Sequence, residues 1–134
     1  MALDIYAERL IQYYENPHNK GKISDASVHL HEENISCGDT LTIYLKFKDN
    51  KVEEVKFEGD GCAISMASAS MVTDFIKGKS LAEIEKMNVG TVMEVIGIDP
   101  GPARLHCATL SMRAIKGAVF AYEHKPLDSS TKEM

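Results

Sequence analysis

The spacing of the apolar residues changes after Gly61, and that change fixes the class of fold. From Leu41 to Phe47 the chain alternates, with Leu41, Ile43, Leu45 and Phe47 on one side and Thr42, Tyr44 and Lys46 on the other. That is the period of a strand with one covered face. KDNK, residues 48–51, is hairpin-turn chemistry, and residues 52–58 return with Val55 and Phe57 on the inner side. After Gly61 the steps become three and four, and Ile64, Ala67, Met71 and Phe75 mark a helical stripe. Strands therefore precede GDGC, residues 59–62, and helices follow it. A sheet with one apolar face must be covered by those helices.

The remaining segments fit this frame. Residues 3–15 suit a helix with Tyr6, Leu10, Tyr13 and Tyr14 on one face, stopped by Pro17. NPHNKG is a turn. Residues 26–31 alternate, with Ala26, Val28 and Leu30 opposite Ser27, His29 and His31, which adds a strand to an antiparallel meander. KGK ends the helix after GDGC at Gly78. Ser80 with Glu83 is a capping box, and residues 81–97 read as two short helices joined near Asn88. IDPGP is a loop, and Pro102 suits the first turn of a last helix. There Leu105, Ala108, Met112, Ile115, Val119 and Tyr122 form the core-facing stripe. The expected class is α+β: an N-terminal helix, a three-stranded antiparallel sheet, then C-terminal helices packed on one face. Residues 1–123 form one domain, and the polar residues 124–134 form a flexible tail.

Composition removes several functions. The net charge is −5 and no basic stripe is present, which argues against nucleic acid as a partner. No segment is apolar enough to span a bilayer. The start, MALDIYAERL, is not a signal peptide, so the expected location is cytoplasmic. Three cysteines, Cys37, Cys62 and Cys107, do not make a disulfide framework in such a chain.

Their placement is informative. Cys37 lies in a loop before a strand, Cys62 where a strand turns into a helix, and Cys107 in the first turns of the last helix. Buried filler is the common fate of a lone cysteine, and Cys107, with Leu110, Ala114 and Ala118 nearby, could follow it. A thiol at a helix N-terminus, however, feels unpaired N–H groups that favour the thiolate. Asp39 lies two residues after Cys37, and His106 directly precedes Cys107. Thiolates, a carboxylate and an imidazole can hold zinc, and thiolates with an occasional histidine hold iron–sulfur clusters. No CxxC pair is present, so spacing alone leaves both open. His18, His29, His31 and His124 have no nearby cysteine and read as solvated.

At this point four segments, in order, resemble the IscU/NifU-type iron–sulfur cluster assembly scaffolds over nearly the whole chain. They are YYENPHNKG, CGDT (37–40), FEGDGCAISMASASMVTDFIKGKS (57–80) and ARLHCATLSMRAIKGA (103–118). The resemblance implies an α+β fold with the cysteines converging at one end. It implies that Cys37, Asp39, Cys62, His106 and Cys107 form the assembly site, and that a cysteine desulfurase donates sulfur. SMASAS and PAR are similar to the SufU branch, whose members are zinc-dependent sulfur acceptors. The HC pair and the short gap between the second and third cysteines are similar to the IscU branch. Where that branch carries LPPVK for chaperone docking, this chain reads PGPAR, which puts docking of a dedicated ATP-driven chaperone in doubt.

The expected chemistry follows from the resemblance. Iron binds among Cys37, Asp39, Cys62 and His106, and persulfide sulfur arrives on Cys107, with Cys37 the second candidate. A ferredoxin-type reductant supplies electrons, and a labile 2Fe–2S cluster forms, held by three thiolates plus Asp39 or His106. It then passes to apo iron–sulfur proteins. A 4Fe–4S cluster would call for a homodimer, and zinc can occupy the cluster-free site. The alternatives are a zinc-dependent sulfurtransferase on the same residues, and a small domain with structural zinc or no metal.

Overall fold

Asp49 and Asn50 both have positive φ, 55° and 61°, as a tight hairpin turn between twisted strands requires. Aspartate and asparagine tolerate that region better than other side chains. KDNK therefore reverses the chain where expected, joining β2 (Asp39–Lys48) to β3 (Lys51–Asp60). The computed structural model describes residues 2–34, 38–97, 100–128, 131–132 and 134, and for residues 2–7 and 103 the backbone only.

β1 (Val28–Asn34) pairs antiparallel with β2, giving a sheet of order β1-β2-β3. β1 begins later and ends later than the expected 26–31. Its end, Glu32–Glu33–Asn34, lacks apolar residues, yet β2 is long enough for backbone pairing to continue to Asn34 opposite Asp39. Leu41, Ile43, Leu45, Val55 and Phe57 are buried on the inner face, as their alternation predicts. Phe47 is only half-buried. A bulge at Lys46/Phe47 shifts the register there and turns the strand. The Phe47 ring meets Tyr122 edge-on, 4.7 Å between centroids.

The helices follow in order: α1 (Ala2–Glu15) before the sheet, then α2 (Ala63–Ile76), α3 (Leu81–Glu85), α4 (Val89–Ile96), a 3₁₀ turn at Pro102–Arg104 and α5 (Leu105–Tyr122). α5 lies on β1 and β2, α2 lies against α5 and β3, and α1 and α4 pack on α2. Gly117 lets α5 approach β1: a Cβ there would stand 2.8 Å from Leu30 Cδ2.

The single stripe expected on α2 is corrected. Ala67 and Met71 are buried, but Ile64 is half-buried and Phe75 is 37% exposed. Every residue from Ser65 to Thr73 is buried. α2 has neighbours on several sides, and its alanines and serines let them all come close. On α5, Ala108, Met112, Ile115 and Val119 are buried as expected, and so are Leu110, Ala114 and Ala118. Tyr122, placed in that stripe, is 44% exposed.

Local signals set the junctions. Ser80 and Glu83 form the expected capping box, and the Ser80 N–H held by the Glu83 carboxylate keeps its pKa below the usual range. Asn88 and Thr91 form a second box at the start of α4. The turn after α1 is fastened to α2: Asn19 Nδ2 donates to Asp74 Oδ1 at 2.8 Å, and His18 Nδ1 lies 2.6 Å from Asp74 Oδ2. Burial opposes the Asp74 charge, but the Asn19 and His18 bonds outweigh it and lower the pKa. His18, expected to be solvated, is thus a partner of α2.

Lys116 is fully buried, with Nζ 2.5 Å from the Met87 carbonyl oxygen and 3.5 Å from Asp128 Oδ2. Asp128 Oδ1 accepts from the Thr131 N–H at 2.9 Å, and Thr131 and Met134 are buried. Among its described residues, the segment 124–134, expected to be a polar tail, thus includes side chains set against the domain. No helix among the described residues is long and apolar enough to cross a membrane.

Gly59 carries a testable consequence. Its φ is 153°, and a Cβ there would lie 2.1 Å from the Thr40 carbonyl oxygen and 2.9 Å from Leu41 Cα. Backbone cannot step aside as a side-chain tip can. Gly59→Ala is expected to cost about 3 kcal/mol of stability by overpacking. Gly78→Ala, at φ 78° with nothing within 4 Å, is expected to cost about 1 kcal/mol from backbone strain alone. Urea unfolding midpoints compare the two; equal losses would refute the steric account.

Candidate metal and sulfur site

β2 begins, β3 ends and two helices start at one place. Asp39 is the first residue of β2 and faces Asn34 at the end of β1. Thr40 beside it pairs with Asp60, the last residue of β3. From there the chain needs only Gly61 to reach Cys62, the N-cap of α2. The strand register thus delivers Asp39 to the mouth of that helix.

The Asp39 side chain is 2% exposed, and its Oδ1 accepts the Cys62 N–H at 3.1 Å. A carboxylate at a helix N-terminus meets unpaired amides and the positive end of the helix dipole. Gly61 makes the approach feasible, since a Cβ at that position would stand 2.7 Å from Asp39 Oδ1. Cys62 holds a position where Ser, Thr or Asp commonly folds back onto the helix, but its side chain makes no capping bond. Cys107 lies in the first turn of α5 and is fully buried.

The ligand atoms of Asp39, Cys62 and Cys107 lie within 4.8 Å of one another. Asp39 Oδ2 is buried and has no hydrogen-bond partner among the described residues. A buried polar atom without a partner is costly and calls for an explanation; a cation held between this oxygen and two thiolates would supply one. Two sulfurs and one oxygen suit zinc, and thiolates suit iron–sulfur clusters. The donor set therefore fits either group.

Two of the three cysteines stand at helix starts, as their sequence positions predict, and they converge with Asp39. Cys37 lies outside the described residues. The Gly38 N–H donates to the Asn34 carbonyl oxygen at 2.8 Å. His106 is exposed and stands outside the three-residue set. Its Nδ1 donates to the Met134 main-chain oxygen at 2.8 Å, which leaves Nε2 as the unprotonated nitrogen of the neutral ring. Cys107, expected to accept sulfur, is fully buried in this conformation.

One residue at the site was not singled out from the sequence. Asn34 Nδ2 donates to Cys107 Sγ at 3.7 Å. A single asparagine at the end of an acidic strand matches no motif. The available hint was its distance of three residues from Cys37, which places it at the foot of the same connection.

Known proteins share this arrangement of strands and helices. A candidate iron–sulfur cluster assembly scaffold for the SUF system from Fervidobacterium islandicum superposes with a TM-score of 0.74 at 30% identity, covering 86% of this chain and 96% of that one. Iron–sulfur cluster assembly scaffold protein IscU 1 of Archaeoglobus fulgidus is 38% identical over 121 residues, covering 90% of this chain and 78% of the relative. Zinc-dependent sulfurtransferase SufU of Bacillus subtilis is 37% identical over 132 residues, covering 86% of this chain and 89% of the relative. Residues 5–129 match the NifU-like N-terminal domain, and the chain belongs to that family.

Proposed function

We propose that this protein is an iron–sulfur cluster assembly scaffold, which takes iron and persulfide sulfur, builds a labile cluster and passes it to apo-proteins in the cytoplasm. The observation that carries the reading is the buried Asp39 Oδ2, without a hydrogen-bond partner among the described residues and beside two thiols. A carboxylate is a harder ligand than a thiolate and suits an iron–sulfur cluster less well. A permanent electron carrier gains nothing from it, whereas a scaffold has to release its cargo.

In this reading Asp39, Cys62 and Cys107 hold the incoming iron, with Cys37 and His106 as the further ligands. Cys107 accepts sulfur and Cys37 is the second candidate. The Cys107 thiolate attacks the terminal sulfur of a cysteine desulfurase persulfide; a new S–S bond forms at Cys107 as the old one breaks, and the desulfurase thiolate leaves. Two electrons from a ferredoxin-type reductant then release sulfide and restore the Cys107 thiolate. The cargo is a 2Fe–2S cluster held by the thiolates with Asp39 or His106. Because Cys107 is fully buried, its cover has to part for the desulfurase to reach it.

A second reading has a specific basis. The same donors suit zinc, and the similarity to the Bacillus zinc-dependent sulfurtransferase extends over most of both chains. Zinc bound there would supply Lewis acidity and hold the thiols as thiolates.

An anaerobic mixture of the protein with ferrous iron, cysteine and a desulfurase, followed by apo-ferredoxin and a chelator, separates the two readings by visible circular dichroism. A cluster signal that moves to the ferredoxin despite the chelator is expected. Persulfide without any cluster, with desulfurase turnover that depends on zinc, would replace the scaffold reading with the sulfurtransferase one.

Two substitutions refine the roles. In Asp39→Ala the cluster is expected to stay bound longer and transfer roughly tenfold more slowly, a barrier change of about 1.4 kcal/mol; faster transfer would overturn the role of Asp39. Cys107→Ser is expected to abolish persulfide loading in mass spectra. Unchanged loading would move that role to Cys37.

A further inference from the structure

Asn34 occupies a place where two tasks meet. It ends β1, opposite Asp39, and its carbonyl oxygen accepts the Gly38 N–H across the connection that contains Cys37. On β1 the half-buried residues alternate as Val28, Leu30, Glu32 and Asn34, so Asn34 shares the face turned towards α5. Glu32, one step earlier on that face, meets α5 through Arg113, with Oε2 3.6 Å from Nε. The sheet edge and the helix are thus tied immediately beside the point where the Asn34 amide reaches Cys107 Sγ at 3.7 Å.

We infer that Asn34 is a positioning residue for Cys107: its side-chain N–H holds the sulfur towards Asp39 and Cys62 and donates to that sulfur while it is bound to a metal. Three observations support this. Cys107 is fully buried, so water does not compete for its sulfur. The donor is an amide, which brings no charge of its own into the set. The backbone of Asn34 is fixed by strand pairing with Asp39, so the same residue sets the distance from the carboxylate ligand to the sulfur. Hydrogen bonds to ligand sulfurs draw electron density from the metal–sulfur bond and are a recognised control on its electronics. A merely structural asparagine would have no such effect.

This inference rests on the proposed role of Cys107 as a ligand, and its test does not depend on cluster assembly. The full chain is loaded with cobalt(II) alone, and the sulfur-to-cobalt charge-transfer bands are recorded in the near ultraviolet. Asn34→Leu keeps the size of the side chain and removes its donor; Asn34→Ala is made in parallel, so that a folding defect in one variant does not decide the matter. Circular dichroism selects the folded one. Loss of the N–H···S bond raises the sulfur lone pairs in energy, so the bands are expected to move to longer wavelength. Cobalt affinity is expected to fall roughly tenfold, the size of one hydrogen bond to a charged acceptor. Bands that stay in place would overturn the inference, even if affinity falls. Shifted bands in a protein that builds no cluster would keep the inference and remove the scaffold reading. Normal cluster assembly with unmoved bands would do the reverse.

Discussion

The inner face of the sheet has to be covered, and the way it is covered creates the site. Leu41, Ile43, Leu45, Val55 and Phe57 present one continuous apolar surface, which in water is worth roughly 25 cal/mol for each Å² removed from solvent. α2 and α5 supply the cover. Their N-terminal ends meet where β2 starts, because the chain passes from β3 into α2 with only Gly61 between Asp60 and Cys62. The thiol of one helix and the thiol of the other are thereby set on the same carboxylate. Hydrophobic packing, which has no direction of its own, is converted into a directed cluster of two thiols and a carboxylate by one short crossing.

The buried polar atoms fall into two kinds. Lys116 is fully enclosed but met by the Met87 carbonyl and by Asp128, so its burial is compensated locally. The hydroxyls of Ser65, Ser68 and Ser111, the Oδ2 of Asp39 and the Oε1 of Glu123 lack hydrogen-bond partners among the described residues. The serines are neutral, and small polar groups of this kind are commonly met by buried water. Of the two acids, Glu123 has its other oxygen 3.6 Å from Lys125 Nζ, whereas Asp39 stands beside the thiols.

Much of the fold was legible because its signals are local. The hairpin at KDNK, the capping box at Ser80 and the junction at Asn88 each depend on a few adjacent residues, and each stands where the sequence put it. The errors occur where tertiary packing decides. Alanine and serine carry little hydrophobic signal, so the near-complete burial of α2 could not be read from a stripe, and Phe75 was drawn into it by its spacing of four from Met71. Tyr122 is the last residue of α5 and meets the half-buried Phe47. Cys62 was singled out by its place where a strand turns into a helix, and Asp39 by lying two residues after Cys37. Asn34 was not, since its role depends on which helix faces β1. His106 was flagged by adjacency to Cys107, but adjacent residues on a helix point in directions about 100° apart, and here the imidazole turns to Met134.

The hydrogen atom that serves as the side chain of Gly61 has a consequence for anyone who would redesign this protein. The carboxylate of Asp39 occupies the volume that any larger residue at 61 would claim, with 2.7 Å between Oδ1 and the position of an added Cβ. Position 61 is therefore a handle on the carboxylate that leaves its chemistry intact: a methyl group placed there displaces the acid without deleting it. The grip of the site on its cargo could be loosened or re-aimed in this way from a neighbouring position, by steric pressure in place of a change of donor atom.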